Sequence, residues 1–141
     1  MPRPSKRDLA AKPLRYFPHD SDAAQDEKCQ RLLFKYGPAG YGRFWLLCER
    51  LASCEGHVIP YGTDDADALL SKWLLFDDVA ECREFIEYLR CTGLALFLHG
   101  NDQNSPWLIR SNRMDKQAEK IGNLRATMAK NRAKRGQNGT R

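Results

Sequence analysis

No apolar run in the 141 residues approaches the roughly 20 that a membrane-spanning helix needs, the longest being 44–48, 73–76 and 94–98. A membrane span is therefore not expected. The first fifteen residues are basic and interrupted by proline, without the apolar stretch of about 7 to 15 residues that marks a secretory signal, so the chain reads as cytoplasmic. Five cysteines make an odd count with no Cys-x-x-Cys pair, which suits neither a disulfide framework nor a zinc knuckle. Reduced thiols are expected, with Cys29, Cys48 and Cys82 on apolar helix faces. Also missing are Gly-x-Ser-x-Gly, His-Glu-x-x-His and the glycine-rich phosphate-loop patterns, and His57 and His99 have no local partner pattern. The chain reads as no enzyme, with no catalytic residue, cofactor or metal. His19, Asp20, Asp22 and Asp26 are suitable metal ligands, but the same residue types cap helices, and a cap with a locally packed histidine is the expected use.

What the chain has is segregated charge. Residues 1–15 carry +4, residues 16–109 carry −7 and residues 110–141 carry +8, for a net +5. An acidic body with basic ends suggests a polyanionic partner, because clustered Lys and Arg displace condensed counterions from phosphates. Solubilising tails would look similar in composition.

The length suits one domain with extensions. Residues 1–13 hold three prolines and little apolar content, so a disordered basic arm is expected there. Cys29, Leu32, Leu33 and Tyr36 are spaced i, i+3, i+4, i+7 after cap residues Asp20, Ser21 and Asp22, predicting a helix over 22–36 that ends at Gly37. Pro38 suits the first turn of a second helix that continues through Phe44, Trp45, Leu47, Cys48 and Leu51 to Gly56. Val58 and Ile59 suit a short strand. Thr63 then caps a helix burying Ala66, Leu69, Leu70, Trp73 and Leu74, and Asp77 or Asp78 caps another burying Val79, Cys82, Phe85, Ile86 and Leu89. Leu94, Leu96 and Leu98 alternate with their neighbours, as do Trp107 and Ile109 beyond a polar loop at 100–105, predicting a β-hairpin. From Ser111 a basic helix is expected, fraying at 130–135, with Met114, Ile121, Leu124 and Met128 near heptad spacing and Gly122 costing about 1 kcal/mol relative to Ala. Its apolar seam pairs two chains in a homo-oligomer, docks on its own domain, or belongs to a segment that stays disordered until DNA arrives. The fold class expected is α+β and mostly helical. Helix, strand, helix, helix, hairpin across 38–110 is the order of a winged helix, here preceded by an extra helix and followed by the basic C-terminal one. The domain plan is thus an arm at 1–13, a winged-helix domain at 14–110 and a basic helix and tail at 111–141.

The run Tyr16-Phe17-Pro18-His19-Asp20-Ser21-Asp22, then Asp26-Glu27-Lys28, then Tyr36-Gly37-Pro38-Ala39-Gly40-Tyr41-Gly42-Arg43-Phe44-Trp45 with Glu49 and Leu51, resembles the N-terminal domain of a prophage family. Members of that family resemble phage replisome organisers and DnaD-like replication initiation proteins. The resemblance covers roughly residues 14–110 and implies a winged-helix fold, with a role in binding DNA or assembling helicase-loading machinery at a phage- or plasmid-type origin. It carries over no catalytic residue.

In a winged helix the segment 78–91 would enter the major groove, yet it shows Glu81, Glu84 and Glu87 against Arg83 and Arg90, and the wing loop carries Asp102. Those surfaces repel phosphate. DNA contact, single- or double-stranded, is assigned instead to Lys6, Arg7, Lys12 and Arg15 near one end and to Arg110, Arg113, Lys116, Lys120, Arg125, Lys130, Arg132, Lys134 and Arg135 near the other. The acidic face is then a docking surface for a replicative helicase or loader, and a transcriptional repressor is less well supported. Tyr16 and Phe17 beside the basic arm are candidates for stacking on bases, whereas Phe44, Trp45 and Trp73 sit at helical spacing and read as core.

Overall fold

In a computed structural model of the chain, residues 4–102 and 105–138 are described. The elements run α1 (Lys6–Ala11), α2 (Glu27–Ser53), β1 (Ile59–Tyr61), α3 (Asp64–Trp73), α4 (Val79–Thr92), β2 (Leu96–Asp102), β3 (Ser105–Arg110) and α5 (Asn112–Asn138). A short 3-10 turn, Ala23–Gln25, precedes α2, so that helix begins later than residue 22. The protein is a mostly helical α+β structure with one small antiparallel sheet in the order β1-β3-β2.

Local chemistry explains most of these boundaries. The Asp26 carboxylate accepts the Lys28 N–H at 2.8 Å, starting α2, and the Thr63 hydroxyl and Asp78 carboxylate start α3 and α4 by accepting from Ala66 and Ala80. Within α2, Gly37 has φ 72° and ψ −166°, a conformation that breaks the helical path, and Pro38 opens the second segment. The two expected helices thus abut at one corner. The apolar faces of α2, α3 and α4 close over the sheet around Leu32, Leu47, Leu51, Leu70, Leu74, Phe85, Ile86 and Leu89, with Ile59 and Ile109 paired across β1 and β3. Each such side chain contributes roughly 1.5–3 kcal/mol by leaving water.

Several expectations are corrected. Residues expected in a disordered arm form α1, started by a reciprocal cap in which Asp8 N–H donates to the Ser5 hydroxyl and Ser5 N–H donates to the Asp8 carboxylate. A helix of six residues is marginal alone; Leu9, buried against α5, supplies the missing stability. In α3, Leu69 is 48% exposed while Asp67 and Ser71 are buried. Asp67 turns inward because it accepts from Gly62 N–H at 2.7 Å and from Arg83 at 2.8 Å. The hairpin strands reach further into the expected loop, to Asp102 and from Ser105, and residues 103 and 104 lie outside the described residues. Helix α5 continues through 130–135 to Asn138 instead of fraying. Its first turns belong to the packed body, for Met114 joins the core and Ala118 is buried, so packing extends past residue 110.

Candidate nucleic-acid interface

The two basic ends of the chain meet. Helix α5 presents Gly122, Arg125, Ala129 and Arg132 at i, i+3, i+7, i+10, one face of a helix. Residues 9–14 lie against it. A Cβ on Gly122 would stand 2.7 Å from Ala10 Cβ and 2.9 Å from its backbone, so glycine is what lets the two segments approach. Three turns of α5 later in sequence than Met114, the Arg125 guanidinium donates to the Leu9 carbonyl at 3.0 Å and to the Pro13 carbonyl at 3.1 Å. Leu14 N–H donates to the Ala52 carbonyl at 2.8 Å, fastening the same segment to the end of α2.

His57 completes the attachment. The ring is buried, its residue has φ 56°, and its two nitrogens lie 2.9 Å from the carbonyl oxygens of Leu51 and Ala10. Carbonyls only accept, so the ring is the donor to this segment and to the end of α2.

This attachment builds a groove of about 700 Å³ lined by Lys12, Arg15, Arg125 and Arg132, with Leu9, Pro13, Met128 and Ala129 as its apolar floor and, among the described residues, Glu55 as its one carboxylate. Arg15 also lines a second groove of about 670 Å³, which continues past Tyr16, Phe17 and His19 to Trp45, Glu49, Arg50 and Trp73. Here Trp45 is the structural centre. His19 stacks on it with centroids 3.7 Å apart and Phe17 lies nearly parallel to it at 6.0 Å, while the Arg50 guanidinium sits 4.5 Å over the Trp73 ring. Trp45 and Trp73 were expected in the core with Phe44; Phe44 is buried, but the two tryptophans are half-buried and reach the surface in this groove. Tyr16 is 76% exposed.

The sequence-assigned cations differ in their surroundings. Lys12, Arg15, Arg125 and Arg132 are brought together, and Lys6, Arg7, Lys116, Lys120, Lys130, Lys134 and Arg135 are exposed on α1 and α5. By contrast, Arg110 pairs with Asp115, and Arg113 pairs with Asp20 at 2.8 Å while lying 5.5 Å over Trp45. Arg125 is committed to two carbonyls. These three guanidinium groups hold structure as well as charge. Sequence reasoning missed Arg50, because its pairing with Trp73 joins positions 23 apart with no motif between them.

On α4 the cations are neutralised locally. Arg83 donates to Asp67 and to Asp64 at 3.0 Å, and Arg90 donates to Glu87 at 3.2 Å, leaving Glu81 and Glu84 exposed. Asp26 is occupied as a cap and Asp20 as the partner of Arg113. Among the described residues no group of three or more His, Cys, Asp or Glu side chains is arranged to hold a metal, and no helix is long and apolar enough to cross a membrane. Burial pushes the Cys48 thiol up to about 12 and Cys82 to about 11, and it also raises Cys29 and Cys54, so these thiols remain protonated and poor nucleophiles near neutrality.

The fold and this surface define a helix-rich α+β protein with a basic seam at one pole and an acidic helix elsewhere. The family model described as Lin1244/Lin1753-like, N-terminal, matches residues 16–103, and the chain belongs to that family. No curated protein and no solved structure matches it.

Proposed function

We propose that the chain is a DNA-binding protein of a phage or mobile-element replication module that grips phosphates through the α1–α5 seam with little sequence specificity. The observation that carries this reading is the convergence of Lys12 and Arg15 with Arg125 and Arg132 in one groove, although more than a hundred positions separate the two sets. Like charges held together in this way repel, and a polyanion relieves the repulsion. The order of elements from the second half of α2 through β3 supports a winged-helix fold, and the resemblance to replisome organisers and DnaD-like proteins supports the replication role. Within that fold α4 is the wrong sign for the major groove.

A second reading rests on α4 itself. With Arg83 and Arg90 tied to carboxylates, Glu81 and Glu84 face solvent and suit a basic partner such as a helicase or loader. Charge reversal at Glu81, Glu84 and Glu87 would abolish such docking and leave DNA affinity intact or improved.

The test uses the full chain, since removing α1 or α5 would uncover Leu9, Met114 and Ala118. Fluorescence anisotropy over a salt series, with Lys12, Arg15, Lys130 and Arg132 changed together to Gln, should show a shallower dependence of log K on log salt. The slope should flatten by about 0.7 to 0.9 for every phosphate that the variant no longer neutralises. An unchanged slope and affinity would reject the surface.

A further inference from the structure

We propose that the aromatic groove beside the basic seam holds unstacked bases, so that the protein prefers single-stranded DNA over duplex. This inference rests on the DNA-binding reading and says which form of DNA the site takes. Arg15 lines both grooves, so a strand whose phosphates follow Lys12, Arg15 and Arg132 runs directly into the aromatic one. There the chain from Leu14 to His19 forms no helix or strand, with Leu14 buried and Phe17 turned against Trp45. Tyr16 is 76% exposed, an aromatic ring that the core does not use. Trp73, covered by the Arg50 guanidinium, lines the same groove. Aromatic rings and planar guanidinium groups are the two surfaces on which proteins stack extruded bases.

Size and charge agree with that occupant. A groove of about 670 Å³ lies within the roughly 300–1,000 Å³ typical of clefts for small flat ligands. Paired bases inside a duplex cannot enter it without being flipped out. Glu49 and Arg50 line the aromatic part together and offset one another, so that part suits an uncharged base, while Arg15, which lines both grooves, is placed to take the phosphate.

The test compares three probes at one salt concentration with the full chain: oligothymidylate, an abasic strand of the same length and a duplex. Thymidylate should bind about tenfold more tightly than the abasic strand for each base stacked. Tyr16→Ala should remove that preference while leaving abasic affinity unchanged, and Tyr16→Phe should keep it. Tyr16 is exposed, and far-UV circular dichroism and the melting temperature should not move. Equal binding of thymidylate and abasic strand, with Tyr16→Ala silent, would overturn this inference and leave the phosphate seam standing. Failure of all three probes to bind at low salt would overturn the DNA reading and this inference with it.

Discussion

Gly122 shows how a residue's meaning depends on what crosses it. On helix propensity alone, Gly122→Ala should stabilise α5 by about 1 kcal/mol. The new Cβ would meet Ala10 at 2.7–2.9 Å, including backbone atoms that cannot swing aside, and overpacking of that kind costs about 1–3 kcal/mol. The substitution is therefore expected to lower the midpoint of urea unfolding; a raised midpoint would show that α1 does not press on α5. Asp67→Ala should cost about 1–3 kcal/mol by the same assay, because it strips the buried acceptor from Gly62 N–H and from Arg83. Burial also moves Cys48 from 9.0 to about 12, Cys82 from 9.0 to about 11 and Tyr61 from 10.0 to about 12. Folding thus favours the neutral forms. The stability this supplies is whole below about pH 9 and is lost as pH rises through the folded values, so unfolding midpoints should fall between about pH 9 and 12. A flat profile there would contradict the burial of these groups. Of these residue roles, the sequence shows that Gly122 is an anomaly in a helix but not that Ala10 fills its place. Asp67 reads as a helix-dipole carboxylate near the start of α3, and its inward turn depends on Arg83 of a different helix.

Among the elements, α1 decides whether the basic ends form a surface. Arg125→Ala removes two charged-donor bonds to Leu9 and Pro13, with an expected cost of about 1–2 kcal/mol after allowance for partial exposure. Hydrogen exchange over residues 6–11 should accelerate more than that over α4. Arg125→Lys should restore only part of the protection, because a single ammonium lacks the planar fork that spans two carbonyls. Helices α2, α3 and α4, the break at Gly37 and the hairpin were legible because caps, glycine punctuation and periodic apolar residues all agree there. Helix α1 was not, since prolines flank it and its stability comes from α5 and His57, contacts that no local pattern records. The heptad spacing of α5 describes only its inner half. Met114 is buried, but Leu124 and Met128 are 55% and 48% exposed because α1 is too short to cover the outer half of the seam.

Over the whole molecule, charge segregation in the sequence becomes segregation in space. The basic ends were legible as cations and their juxtaposition was not, because it is made by the Gly122 crossing, the Arg125 clamp and the Leu14–Ala52 bond. The acidic character of α4 was legible, and the ion pairs of Arg83 with Asp64 and Asp67 and of Arg90 with Glu87, which no local pattern records in full, tie its arginines to carboxylates. Like-signed ends held side by side also predict that stability rises with moderate salt, as screening relieves their repulsion, while DNA affinity falls. The most direct measurement of the central claim is hydrogen exchange of the full chain with and without a saturating DNA strand. Slowed exchange should appear together in residues 9–17 and 122–132, with 79–92 unchanged. Slowing confined to 79–92 and the hairpin would place DNA on α4 and contradict the account.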